Sequence, residues 1–278
     1  MSSAIRLAET QLPKPRPFLK WAGGKSKLVE TIMARFPHNF GRYFEPFLGG
    51  GAVFFGLEPE RAVLADMNLE LVTAYTALRD ELPRVMAALR RHRAEREHFY
   101  AVRAQGTDGM STTARAARMI FLNRTCYNGL YRVNRSGAFN VPFGKYDNPR
   151  ICDEENLRAV SHALQDATIE HADVFSTVAK ARAGDLVYFD PPYDPVSKTA
   201  SFVSYTDKGF TSEDQERLAR TFRELAERGV HAVLSNSDTP FIRRLFKGFR
   251  IETVHVRRAI NSRADRRGPV AEVLVSTT

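Results

Sequence analysis

The sequence has few residues of the kinds that build disulfides, metal sites or membrane spans. Its two cysteines, Cys126 and Cys152, form no metal-spaced pair, which favours a reduced, cytoplasmic protein. The seven histidines are scattered, with no HxxxH and no histidine–cysteine cluster, so we expect no metal site. No apolar run approaches the ~20 residues of a membrane-spanning helix. The first 17 residues also lack the apolar stretch of a signal peptide, so neither feature is expected.

Positive charge is what the sequence has in excess. The chain of 278 residues carries a net charge of +9, and 43% of its residues are hydrophobic, which is ordinary for a folded globular protein. The stretch from Arg79 to Arg150 holds 14 lysines and arginines against 6 acids, a net charge of +8. A polyanionic partner for this stretch is one explanation. A solvated helix face is the other.

Strand and helix patterns alternate at both ends of the chain. The predicted strands are a short one before the glycines of RYFEPFLGGGAVFFGL (42–57), Ala62–Ala65, DLVYFD (185–190), VHAVLSNSD (230–238) and VAEVLVST (270–277). TSEDQERLARTFRELAERG (211–229) is predicted to be a helix capped by Thr211 or Ser212. Residues 69–120 have a helical pattern, and 123–149 suit loops and a hairpin. The pattern predicts an α/β sheet with crossovers and an inserted basic segment.

A glycine turn follows the first of these strands. Gly49, Gly50 and Gly51 precede an apolar helix, and Asp66 ends the next strand, where an acid can accept hydrogen bonds from ribose hydroxyls. The glycines do not follow GxGxxG spacing and no Walker lysine follows them, which disfavours a phosphate site. A ligand with a ribose but no phosphate, such as S-adenosylmethionine, fits better. A purely structural turn is the alternative.

The single tryptophan lies in FLKWAGGK (18–25). Trp21 stands between Lys20 and Lys25, next to two glycines that predict a turn. An indole there can stack on a flat ring or on a cation. A lone tryptophan is more often a core residue, but its polar and glycine-rich surroundings favour a site.

The motif DPPY follows a buried strand. The prolines fix the backbone and remove two N–H donors, so Asp190 and the Pro191 carbonyl form a site that only accepts hydrogen bonds. Such a site suits an amino group on a ring, because two acceptors stabilise the positive charge that develops when that nitrogen is methylated. Tyr193 offers a face on which a base can stack. A bare structural turn is the alternative.

A base inside a duplex must be flipped out before it can reach such a pocket. The basic segment contains the residue types for this step. Arg124, Arg132, Arg135 and Lys145 can bind phosphates or guanine edges. Tyr127 and Asn128 can wedge into the base stack, and Leu130 and Pro142 can contact a thymine methyl. An ordinary polar surface loop would have a similar composition.

In their residues and in their order along the chain, these motifs resemble those of the Dam-like DNA adenine-N6 methyltransferases. The resemblance covers most of the chain and rests on FLKWAGGK, FEPFLGGG, AD at 65–66, YNGLYRVNRSGAFNVPFGKY, DPPY, SFVSYTDKGFTSEDQERLA, LSNSDT and VRRAINS. It implies a class I methyltransferase fold, in which helices flank a mostly parallel sheet and a mainly helical target-recognition domain is inserted. The implied catalytic domain is 1–68 with 151–278, the implied recognition domain is 69–150, and the implied form is a monomer.

The resemblance also implies roles for individual residues. The catalytic residues would be those of the DPPY motif, Asp190, Pro191, Pro192 and Tyr193. The cofactor contacts would be Trp21, Lys25, Phe47, Gly49, Gly51, Asp66 and Asp190. The DNA contacts would be Lys20, Arg124, Tyr127, Asn128, Leu130, Arg132, Pro142 and Tyr146, with Tyr127 and Asn128 as the intercalating pair. Gly50, Thr125, Cys126, Tyr131 and Ala138 depart from close relatives.

Together with the resemblance, the sequence predicts a metal-independent enzyme that uses S-adenosylmethionine to methylate adenine N6 in double-stranded DNA. The resemblance implies GATC as the site, and the same chemistry at a different recognition sequence is the alternative. Neither cysteine lies in a nucleophile motif, which argues against cytosine-C5 chemistry. Methylation of an RNA base or of a protein glutamine is the alternative within enzymes. A DNA-binding protein without catalysis is the alternative outside them. The sequence leaves open a partner endonuclease and a role in replication, repair or defence.

Overall fold

The computed structural model describes residues 12–195, 210–257 and 269–277, which form ten α-helices and seven β-strands. The strands are β1 Tyr43–Glu45, β2 Ala62–Asp66, β3 Ala167–His171, β4 Leu186–Phe189, β5 His231–Ser237, β6 Arg250–Arg257 and β7 Pro269–Ser276. The helices are α1 Val29–Met33, α2 Ala52–Leu57, α3 Leu69–Asp80, α4 Leu82–Leu89, α5 Arg96–Ala104, α6 Thr112–Thr125, α7 Glu154–Ala163, α8 Val174–Val178, α9 Ser212–Glu227 and α10 Pro240–Leu245.

The seven strands of the described residues form one sheet in the order β3-β2-β1-β4-β5-β7-β6. The first five run parallel to one another, and β7 runs antiparallel to both of its neighbours. This arrangement confirms the predicted class I methyltransferase fold. The two outer strands, β3 and β6, are not among the strands predicted from the sequence. In β3, only the first of its five residues is buried, so its apolar signal is weak.

Both faces of the sheet are covered by apolar side chains. Tyr43, Leu64 and Tyr188 point to one face and share a single cluster with Tyr75 and Phe121 of the helical segment. Phe44, Val63 and Val187 point to the other face and pack with α9. The helical pattern predicted for 69–120 is confirmed as α3 to α6, although α6 continues to Thr125. The inserted helices and the sheet therefore share one core.

Thr211 caps α9, which settles the choice between Thr211 and Ser212. The Thr211 hydroxyl accepts from Asp214 N at 3.2 Å, and the Asp214 carboxylate accepts from Thr211 N at 2.8 Å. Two motifs of the family resemblance lie partly outside the described residues. They are SFVSYTDKGFTSEDQERLA, over 201–209, and VRRAINS, over 258–262.

The glycine turn after β1 is packed tightly against α3. Gly51 is the N-cap of α2 with φ +66°, and a Cβ there would lie 2.7 Å from the Tyr75 hydroxyl. That hydroxyl donates to Gly49 O at 3.1 Å. Gly50 lies outside the left-handed region, and a Cβ there would be 3.4 Å from the nearest atom, Trp21 Cβ. The turn thus needs glycine at position 51 but not at position 50.

A buried carboxyl lies beneath this turn. Glu45 Oε2 accepts from the Tyr43 hydroxyl at 2.9 Å and from Phe54 N at 3.1 Å, so it joins β1 to α2. The side chain is 3% exposed. Burial raises the pKa of Glu45 to about 8, against the opposing effect of the Tyr43 hydrogen bond. The folded protein therefore holds this group as the neutral acid at neutral pH.

We expect Gly51→Ala to destabilise the protein while Gly50→Ala changes its stability little. Alanine in the left-handed region costs about 1–2 kcal/mol, and the new Cβ would also displace the Tyr75 hydroxyl. Urea unfolding of the two variants beside the parent protein measures the difference. Equal stability of both variants would show that the turn relaxes without strain.

We expect Glu45→Gln to reduce the loss of stability with rising pH. The folded pKa of Glu45 lies above the ordinary value of 4.5. Its stabilising effect is therefore complete below about pH 4.5 and is lost as the pH rises through about 8. Glutamine has no proton to release, so the free energy of unfolding should fall less over that window. Urea unfolding as a function of pH tests this, with exposed Glu60→Gln as the control. Parallel profiles for all three proteins would contradict the prediction.

Candidate active site

The predicted site residues meet at one edge of the sheet because β2, β1 and β4 are adjacent and parallel. Glu45 pairs with Leu64 across β1 and β2, and Phe44 pairs with Val187 across β1 and β4. The carboxyl ends of the three strands therefore lie side by side, where α/β sheets commonly bind ligands. Asp66 ends β2, the glycine turn follows β1, and Asp190 follows β4.

One oxygen of Asp190 is held in place. Oδ1 lies 2.7 Å from Lys25 Nζ and accepts from Ser235 Oγ at 2.8 Å. Lys25 is 7% exposed and also donates to Gly23 O at 2.7 Å. No residue that the structure describes hydrogen-bonds to Asp190 Oδ2. The carboxylate is thus fixed through one oxygen, and the described part of the chain leaves its other oxygen without a hydrogen-bond donor.

The DPPY turn is held by α9 and β5. The Pro192 carbonyl accepts from Gln215 Nε2 at 2.8 Å, and Asp194 N donates to Asn236 Oδ1 at 3.0 Å. Asn236 Nδ2 in turn donates to Gln215 Oε1 at 3.1 Å. Sequence reasoning gave no role to Gln215, Ser235 or Asn236. The polar run LSNSDT at the end of an apolar strand was the available signal for the last two.

Tyr193 is oriented from two directions. Its hydroxyl donates to Glu272 Oε2 at 2.8 Å, and Lys25 Nζ lies 4.7 Å from its ring centroid. Burial raises the pKa of Tyr193 well above the ordinary range, so the side chain stays a neutral phenol. Glu272 was not identified from sequence, although a single acid inside the apolar strand VAEVLVS is an unusual feature.

Asp66 joins the glycine turn to the end of β2. Its Oδ2 accepts from Gly49 N at 3.0 Å and its Oδ1 from Asn68 N at 2.9 Å. Burial raises the pKa of Asp66, while these hydrogen bonds oppose the rise. A Cβ at Gly49 would lie 2.9 Å from Trp21 Cδ1, so the indole packs directly on the turn. Half-buried Phe47 packs edge-on against Phe210 at 5.7 Å.

The basic segment forms a turn and a hairpin, as predicted. Helix α6 leads into a 3₁₀ turn, Tyr127–Gly129, in which Asn128 is left-handed at φ 55°. Tyr127 is 55% exposed, and its N–H donates to Pro142 O at 2.8 Å. A hairpin over 131–140 follows, closed by a bridge between Val133 and Phe139. The predicted intercalating pair thus lies at an exposed turn.

The predicted base-reading residues differ in exposure. Lys20, Arg132 and Pro142 are exposed, whereas Leu130 and Tyr146 are half-buried. Arg132 Nε donates to Asn140 Oδ1 at 2.6 Å, which fixes the guanidinium across the hairpin. Lys20 Nζ lies 5.0 Å from the Tyr146 ring centroid. Arg124 is half-buried, and burial lowers its pKa.

Neither cysteine lies in surroundings that favour its thiolate form. Burial raises the pKa of Cys126 to about 12, and its Sγ donates to Leu130 O at 3.1 Å. Burial also raises the pKa of Cys152. Within the described ranges, no three histidine, cysteine or acidic side chains lie together as metal ligands would. In the same ranges, no helix combines the length and apolar character needed to cross a membrane.

Comparison with known proteins supplies the identity of this arrangement. Residues 21–260 match the family described as D12 class N6 adenine-specific DNA methyltransferase. The chain is 41% identical to the Type II methyltransferase M1.LlaDCHI of Lactococcus lactis subsp. cremoris, over 94% of this chain and 95% of the relative. It is 41% identical to the Type II methyltransferase M.MjaIII of Methanocaldococcus jannaschii, over 91% of this chain and 95% of the relative. It is 37% identical to the DNA adenine methylase of Vibrio cholerae, over 96% of this chain and 98% of the relative.

These matches span nearly the whole of this chain and of its relatives, and they confirm the resemblance inferred from the motifs. The chain belongs to the family of D12 class N6 adenine-specific DNA methyltransferases.

Proposed function

We propose that this adenine-specific DNA methyltransferase uses S-adenosylmethionine to methylate an adenine that is flipped out of double-stranded DNA at GATC. It acts as a monomer without a metal ion, on the DNA of the nucleoid. The main support for the proposal is the state of the Asp190 side chain. Its Oδ1 is held by Lys25 and Ser235, whereas its Oδ2 has no hydrogen-bond partner among the described residues. Pro191 and Pro192, which follow Asp190, have no N–H to donate, so this turn offers an amino group only hydrogen-bond acceptors.

The residues near the glycine turn fit the methyl donor. The Asp66 carboxylate suits a ribose diol, and Trp21 offers an aromatic surface beside the turn. The turn has no lysine of the Walker type, which suits a ligand without phosphates. When bound, S-adenosylmethionine supplies an electrophilic methyl group. Lys25 and Asp190 connect this side of the site to the DPPY turn.

The DPPY turn suits an exocyclic amine as the acceptor of that methyl. Asp190 Oδ2 accepts a hydrogen bond from one N6–H and the Pro191 carbonyl accepts one from the other, which favours a more tetrahedral nitrogen and stabilises its developing positive charge. A hydrogen bond to a charged group contributes about 1.5–3 kcal/mol. Tyr193, fixed by Glu272, stacks on the base. The methyl would move in line from the sulfonium sulfur, which leaves as the neutral thioether S-adenosylhomocysteine, to N6, which then loses one proton to solvent. No covalent enzyme intermediate is needed, in agreement with the burial that raises the pKa of both cysteines.

The exposed turn and hairpin support base flipping and sequence reading. Flipping costs a few kcal/mol, and Tyr127 with Asn128 fills the space that the adenine leaves. Arg132 reads a guanine with Nη1 and the second hydrogen of Nη2, because Nε and Nη2 already donate to Asn140. Lys20, Leu130 and Pro142 contact the other bases, Tyr146 supports Lys20, and Arg124 contacts the DNA near the turn.

We expect Asp190→Ala to lower the rate of methyl transfer at least about a hundred-fold, because removal of one preorganised hydrogen-bonding group at a reacting centre has effects of that size. DNA binding, measured by fluorescence anisotropy, should persist. Asp194→Asn is the matched control, since its carboxylate accepts from Thr239 at 2.7 Å and asparagine can still accept there. More than about a tenth of the parent rate in Asp190→Ala would exclude a direct acceptor role.

Methylation of plasmid DNA tests the recognition sequence. After transfer of labelled methyl groups, we expect protection from a GATC nuclease that methylation blocks and cleavage by one that requires it. Labelled DNA that does not show this pattern of protection and cleavage would mean that the enzyme methylates a sequence other than GATC. Label on RNA or protein instead of DNA would contradict the proposal as a whole.

Arg132→Ala should relax the preference for GATC, because a bidentate guanine contact discriminates by about 1–3 kcal/mol. Arg135→Ala removes an exposed cation from the same hairpin and is the matched control, expected to weaken binding to all sequences equally. Equal weakening on all sequences by Arg132→Ala would instead assign Arg132 to the phosphate backbone.

A further inference from the structure

The hairpin that follows the exposed turn reaches back to the cofactor side of the site through one aromatic ring. Tyr131 stacks on Trp21 with ring centroids 5.2 Å apart and an angle of 27° between the planes. Phe139, across the hairpin, packs edge-on against Tyr131 at 5.9 Å. Trp21 is thus in contact with the glycine turn and with the hairpin.

The same tyrosine also packs against the hydrophobic core. Tyr131 is half-buried and lies against the cluster that contains Tyr75 and Phe121. Burial raises the pKa of its phenol. Tyr131 therefore fixes Trp21 against the core.

A buried asparagine fixes the backbone around this contact. Asn123, 1% exposed, accepts from Lys20 N at 2.8 Å and donates to Lys20 O and to Gly129 O at 2.9 Å each. Gly129 has φ +64°, and a Cβ there would lie 2.3 Å from Lys20 Cδ. The loop that carries Trp21 and the turn that precedes Tyr131 are thereby held against each other.

We propose that Tyr131 is a positioning residue for the cofactor pocket, which holds the Trp21 indole in its binding position. The inference rests on the proposed use of S-adenosylmethionine at this site, and it makes the DNA-reading hairpin part of the pocket's support.

The test compares Tyr131→Ala, which removes the ring, with Tyr131→Phe, which keeps it. Tyr100→Ala is the matched control, because Tyr100 is a half-buried tyrosine of α5 that packs on Phe99 and Arg103 instead of Trp21. Calorimetry measures the affinity for S-adenosylhomocysteine without DNA. Trp21 is the only tryptophan, so quenching of its fluorescence by acrylamide reports its exposure directly.

Tyr131→Ala should weaken S-adenosylhomocysteine binding about two- to twelve-fold, the loss that corresponds to one aromatic pair. It should also make Trp21 more accessible to acrylamide, while Tyr131→Phe keeps most of the affinity and Tyr100→Ala keeps all of it. Should Tyr131→Ala fail to fold, Tyr131→Leu keeps the bulk of the side chain and removes the stacking.

Unchanged affinity and unchanged quenching in the alanine variant, or in the leucine variant that replaces it, would overturn the proposal. An equal loss in Tyr100→Ala would do the same, because it would show a general loss of stability. If the parent protein methylates DNA normally, either result rejects the role of Tyr131 alone. A parent protein that neither binds S-adenosylhomocysteine nor methylates DNA would reject the proposed function as well.

Discussion

The ion pair between Lys25 and Asp190 joins the two parts of the site that are most distant along the chain. Burial of two charges is favourable only when further hydrogen bonds satisfy them. Here Gly23 O accepts from the ammonium, and Ser235 donates to the carboxylate. Removal of either charge would leave the other buried without its partner. The loop before α1, the turn after β4 and the end of β5 therefore meet at Asp190 Oδ1, which bonds to Lys25 and to Ser235.

The parallel sheet makes this contact possible. Because β2, β1 and β4 are adjacent and in register, Asp66, the glycine turn and Asp190 lie at the same edge of the sheet. No long loop is needed to bring them together. The helical segment does not lie apart from this edge, since its residues share a hydrophobic cluster with Tyr43 and Tyr188 of the sheet. A substrate held by the helices and a ligand held by the strands would thus meet in one rigid framework.

Sequence alone predicted the parts of the site that are contiguous motifs at strand ends. Asp66, the glycine turn and Asp190 each follow a short apolar run, so their placement at the sheet edge could be inferred. The side chains that orient them could not, because their contacts join distant positions. Glu272 meets Tyr193 across 79 residues, and Asn123 meets Lys20 across 103. The outer strand β3 was missed for a related reason, since a strand with one buried residue carries little apolar periodicity.

The close approach of Gly129 to the Lys20 side chain bears on how new target specificities can arise. Any side chain larger than hydrogen at position 129 would collide with Lys20, while Asn123 bonds to the backbone of both residues. If this hairpin reads the target and the 18–21 loop lines the cofactor pocket, as proposed, a hairpin taken from a relative would have to fit that loop as well as its own target. A chimera that exchanges the hairpin would then have to carry the loop along, and target specificity and cofactor pocket would be inherited together.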